Sequence, residues 1–154
     1  MDFRIIGLSL DPFTHLFALS DAALLAHGAR RQVSPGNYPC RVTLAETPAG
    51  EACILLHHEH HAAPASPYRA GGPIYVREAA QETFDRVNDV PEVLRNRLLS
   101  LRAYDTDGMM LAGEVVDGTD VVPAIARLLV DPAIVTIHAH NAKRGCYAAR
   151  ITRA

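Results

Sequence analysis

Apolar residues in this chain recur at two different periods, and the switch between the two limits the fold more than any other feature of the sequence. Cys40, Val42 and Leu44 alternate with Arg41 and Thr43, the pattern of a half-buried strand whose side chains point to opposite faces in turn. Ala52, Ile54 and Leu56 repeat it with Cys53 and Leu55 apolar on the other face, so this strand is expected in the middle of a sheet. It runs directly into His57-His58-Glu59-His60-His61. Leu99, Leu101 and Ala103 alternate with Ser100, Arg102 and Tyr104. The tight turn Asp105-Thr106-Asp107-Gly108 then sends the chain back as a strand from Met109 to Val116. Phe3–Leu8, Ile74–Arg77, Ile134–His140 and Cys146–Ile151 read as further strands, the last two joined by a turn over Asn141–Gly145.

Helical spacing is confined to short stretches. Asp11 before Pro12 reads as an N-cap and first helical residue, with Phe13, Leu16 and Phe17 on one face. Ser20 caps a second helix with Leu24 and Leu25 inward, and Gly28 ends it. Pro91 begins a third, carrying Val93 and Leu94. The longest, Asp120–Val130, sets Val121, Val122, Ile125, Leu128 and Leu129 in one stripe and stops at Asp131-Pro132. Thr47–Gly50 is a turn, Pro64–Pro73 a loop, and Ala79–Asp89 a loop with a helical turn. Strands clustered as hairpins, with helices between the clusters, give an α+β fold: a mainly antiparallel sheet packed with a few short helices. The Asp120–Val130 helix and the N-terminal helical pair are expected to cover that sheet. With no repeat or linker, residues 1–154 read as a single domain.

Composition removes several classes of function. With 49% hydrophobic and 21% charged residues the chain is neither disordered nor a coiled coil. A formal charge of −2 offers no global field for nucleic acid or an anionic membrane, although arginine greatly outnumbers lysine and leaves room for local anion sites. The N-terminus lacks the basic start and apolar stretch of a secretory signal, and no apolar run is long enough to span a bilayer. Cys40, Cys53 and Cys146 are scattered and odd in number, which suits a reducing compartment; the expected location is cytoplasmic.

Four segments carry a family likeness: YPCRVTL (Tyr38–Leu44), SPYRAGGPIYVRE (Ser66–Glu78), LLSLRAYDTDGMM (Leu98–Met110) and HNAKRGCYAARI (His140–Ile151). With the opening around Pro12-Phe13 and the LSDAAL run, they make nearly the whole chain similar to the family called domain of unknown function 1203. The resemblance implies a small stand-alone intracellular protein and supplies no activity or catalytic residue. The run His57–His61 is richer in histidine than the family pattern.

Three groups of residues suit chemistry. In extended backbone His58 and His60 share a face, as do His138 and His140. If the two strands are neighbours, these four imidazoles converge on a divalent transition metal, with Glu59 or Cys146 as a further ligand or supporting partner. Against this, no HExxH or cysteine–histidine signature is present, and strand-end histidines commonly face solvent. A second group is a pocket for a small anionic molecule: Arg69 beside Tyr68 and Gly71-Gly72, with Arg41, Asn141, Cys146 and Tyr147, and Arg102 and Arg150 on their strands. The bland reading pairs each arginine with a carboxylate such as Glu78 or Asp105. The third is a cysteine nucleophile at Cys40 or Cys146, with His140 and Asn141 as base and orienting group; adjacent strand residues point to opposite faces, and buried cysteine is usually a small hydrophobe. Asp105-x-Asp107-Gly108 lacks the later glutamate of a calcium loop, Met109-Met110 reads as core, and Lys143-Arg144 as a charged turn. The catalytic residues stay unknown. The leading expectation is a binding protein or enzyme with a polar pocket of Arg69, His60, His140 and Cys146. The alternative is a non-catalytic interaction or accessory protein, and a homo-oligomer stays open.

Overall fold

The computed structural model describes residues Met1–Ala154. In chain order the elements are β1 (Phe3–Ile6), α1 (Thr14–Phe17), α2 (Asp21–Ala26), β2 (Arg30–Val33), β3 (Tyr38–Pro39), β4 (Glu46–Thr47), β5 (Ala52–His61) and β6 (Ala70–Arg77). There follow β7 (Asp85–Val87), α3 (Glu92–Arg95), β8 (Leu98–Tyr104), β9 (Met110–Asp117), a 3-10 turn at Gly118–Asp120, α4 (Val121–Leu128), β10 (Thr136–Asn141) and β11 (Tyr147–Arg153). The architecture is α+β. One sheet has six strands in the order β7-β1-β11-β10-β8-β9; a second has three, β2-β5-β6; β3 and β4 form a two-stranded ribbon. Every strand pairing within the sheets is antiparallel. No helix is long and apolar enough to cross a membrane.

The six-stranded sheet has two unlike faces. Leu99, Leu101, Ala103, Ile137, Ala139 and Ile151 are fully buried against Val93 and Leu94 of α3 and Val121, Ala124, Ile125 and Leu128 of α4. Alternation then puts Ser100, Arg102, His138, His140 and Arg150 on the opposite face, opposite one another in register. A second core joins α1 and α2 to the smaller sheet through Phe13, Leu16, Leu24, Ile54, Ile74 and Val76. Thus α4 covers the large sheet, and the N-terminal helical pair covers the smaller one. Arg31 of β2 ties that pair down, reaching Asp21, Glu78 and the Phe17 and Leu19 carbonyls.

Several local expectations change. Cys40–Leu44 is not a strand. After a bridge from Cys40 to Tyr75 the chain makes a tight turn, closed by Leu44 N–H donating to the Cys40 carbonyl, with Leu44 at φ +50. Cys40 and Val42 enter the smaller core and Leu44 the larger one, so apolar residues two apart serve a clamped turn as well as a strand. Arg41 is consequently buried rather than projecting from a sheet. The residue that caps α1 is Phe13, since Asp11–Phe13 form a turn ahead of the helix. Leu25, Val122 and Met109 are exposed, and β6 begins at Ala70 inside the expected loop. The stretch 79–89 contains β7, which the sequence disguises because all three of its residues are exposed on a sheet edge.

Candidate metal centre

His138 and His140 lie on β10 in the middle of the large sheet, and alternation with buried Ile137 and Ala139 turns both imidazoles to the polar face. The tail of β5 approaches that face. Its register with β6 shifts between His58, opposite Gly72, and His61, opposite Ala70, so two β5 residues face the single Gly71. Such a bulge breaks strict alternation and re-aims side chains. His60 and His61 therefore both reach the large sheet. His60 stacks on Tyr147 at 5.2 Å and meets His140 edge-on at 4.7 Å; His61 stacks on Tyr104 at 4.1 Å.

Within this layer His60, His138 and His140 each offer a ligand atom, all within 4.8 Å of one another. Nδ1 of His60, Nδ1 of His138 and Nε2 of His140 are buried and have no hydrogen-bond partner. His140 Nδ1 lies 2.9 Å from the Gly145 carbonyl, which only accepts, so Nδ1 carries the proton and Nε2 keeps its lone pair. That fixing of ring and tautomer by a backbone carbonyl is a common support for a metal-binding histidine. Burial pulls all three imidazoles down from their ordinary range, to about 4 for His60, about 3 for His138 and about 4 for His140, with charge repulsion within the cluster adding for His60 and His138. They are neutral at physiological pH, the form a metal takes. A cavity of about 520 Å³ opens beside them, lined by His60, His61, His138 and Tyr147 and, further out, Ser9, Arg150 and Thr152.

The other sequence candidates divide. His58 stands outside the cluster, edge-on to Phe13 at 5.9 Å, because it precedes the bulge. Glu59 is exposed and faces Arg69 at 3.9 Å. Tyr68 and Arg69 are exposed on the loop before β6, away from Arg41, Asn141 and Cys146, which line a separate cavity. Tyr147 belongs to the histidine layer. The Cys146 sulfur accepts from Arg41 and Asn141 rather than from His140, and Cys40 is buried. Sequence reasoning missed His61, whose orientation depends on the bulge, and Tyr104. His61 is also buried, and its Nε2–H donates to the Gly108 carbonyl; it was signalled only by its place in the histidine run.

Fold and cluster together define an α+β protein of antiparallel sheets with a three-imidazole cluster, two of its rings buried and one half-buried, on one polar face. The family model described as protein of unknown function (DUF1203) matches residues 37–153, and the chain belongs to that family. All three clustered histidines fall within the matched region. No curated protein and no solved structure matches the chain.

Proposed function

We propose that this protein binds one divalent transition-metal ion on His60, His138 and His140. The observation that carries the reading is three histidines whose ligand atoms lie within 4.8 Å of one another, each of which also holds a buried ring nitrogen with no hydrogen-bond partner. A buried polar atom left unpaired costs about 1–3 kcal/mol, and three in one place are offset together by a single ion. Metal–nitrogen bonds of about 2.0–2.1 Å bring tetrahedral donors to roughly 3.4 Å apart, so the rings close in modestly on loading. Three protein ligands leave a position open, as in catalytic rather than structural zinc sites. The neighbouring cavity supports access of water or a small molecule to it. The chemistry this favours is Lewis-acid activation of a water or a carbonyl oxygen.

Metal analysis of untagged protein tests the reading. One ion per chain is expected in the wild type and none in the His60→Ala/His140→Ala variant; wild-type protein that takes up no metal from added zinc, nickel or copper contradicts it. A second reading rests on the His60–Tyr147 and His61–Tyr104 stacks: the rings serve as an aromatic layer in a non-catalytic accessory protein. Under it, His60→Phe keeps full stability and no metal is found. The three free cysteines support a reducing, cytoplasmic setting for what we read as one domain.

A further inference from the structure

We infer that the chain has a second ligand site, separate from the histidines: a cavity in which Arg41, Lys143 and Arg144 hold the phosphate of a small phosphomonoester. The cavity measures about 400 Å³ and lies between β3, the α3–β8 junction and the β10–β11 turn. It shares no lining residue with the cavity beside the imidazoles. Its walls include four cationic side chains, Arg41, Arg97, Lys143 and Arg144, and no acidic one. Only Arg97 is in an ion pair, with Glu46 at 2.6 Å. For a chain of net charge −2 this is a strong local excess.

Arg41 is the unusual member. It is 2% exposed, yet no carboxylate stands within ion-pairing distance. Its Nε donates to the Tyr147 carbonyl at 2.7 Å, one terminal nitrogen to the Pro39 carbonyl at 2.5 Å and the other to the Cys146 sulfur at 3.2 Å. Burying a guanidinium among neutral partners is costly, and burial lowers its pKa from the ordinary value. An anion entering the cavity supplies the missing countercharge. Three cations without carboxylate partners match a dianion better than a single carboxylate, and a guanidinium fork with an ammonium suits phosphate oxygens. Asn141, on the same wall, has a buried Oδ1 with no partner, ready to accept from a hydroxyl of the esterified alcohol. Tyr38 and Tyr75, stacked at 4.2 Å and 10°, give the organic part a flat wall. The volume is at the lower end for small-molecule sites, which fits a phosphorylated molecule of sugar size.

Calorimetric titration of the full chain with inorganic phosphate and with phenyl phosphate, in EDTA so that no metal ligates the anion, tests the site. One phosphate or phenyl phosphate per chain is expected, with phenyl phosphate the tighter. Lys143→Ala/Arg144→Ala, on an exposed turn and so without consequence for folding, should weaken both at least tenfold. His138→Ala should bind them as the wild type does. The inference is overturned if neither probe binds at about 10 mM, if the double variant binds undiminished, if acetate and benzoate bind as tightly as their phosphate counterparts, or if His138→Ala abolishes binding.

Discussion

At His140 the Nδ1–H bonds to the Gly145 carbonyl at the β10–β11 turn, where Gly145 adopts φ +79. One backbone contact thus decides which nitrogen of this ring is left with a free lone pair. Replacing Gly145 by valine strains that left-handed position, and zinc affinity measured by competition with a chelator is expected to fall about tenfold through loss of ring orientation. Unchanged affinity would show that the turn does not orient the ring. Ser20 is a simpler case. Its Oγ accepts from Ala23 N–H at 3.2 Å as the N-cap of α2, so Ser20→Ala should lower stability by about 1 kcal/mol in urea unfolding. This cap was plain from the sequence, because a serine ahead of an apolar helical run has one common use. Arg41 was legible as an anion-site candidate but not as a buried residue: nothing in the residue string distinguishes a strand position from a clamped turn.

Elements were readable wherever one face is dry and the other wet. The alternation of Leu99, Leu101 and Ala103 gave β8, and the stripe of Val121, Ile125 and Leu128 gave α4, since each pattern records a single buried side. The pattern failed where nearly every residue of a segment is buried, as at Cys40, Arg41, Val42 and Leu44, or exposed throughout, as in β7. It also failed at the β5 bulge, which depends on pairing with β6 and so aims His61 by a partner 9 residues away at Ala70. The four-histidine quartet became three for that reason. Gly7 marks another close approach between elements: a Cβ there would sit 2.2 Å from the Val42 carbonyl oxygen, in the turn that holds Arg41. Gly7→Ala is expected to cost at least about 2 kcal/mol in denaturant unfolding; a loss under half of that would mean the turn can yield.

Across the whole molecule, the histidine layer joins the large sheet to the tail of the small one, so an ion there tethers both. At a free metal concentration 100 times Kd the added stability is about 2.7 kcal/mol, a rise in Tm of roughly 5–10 °C for a chain of this size. Acid acts in the opposite direction on the metal-free protein. The unfolded chain protonates these imidazoles near their ordinary 6.5, whereas the folded chain keeps them neutral down to about 4 at His60 and His140 and about 3 at His138. In that window the unfolded state binds more protons, so the stability present above pH 6.5 declines as pH falls toward 4. A His138→Leu variant should show a shallower decline of Tm with pH; an identical slope would remove His138 as a source of the effect.

Anomalous diffraction at the zinc absorption edge from crystals of the zinc-loaded, untagged chain bears most directly on the proposed metal centre. A single strong peak bounded by the imidazoles of His60, His138 and His140 is the predicted result. No peak between those rings, or one only at the exposed His57 and its neighbours, would contradict it.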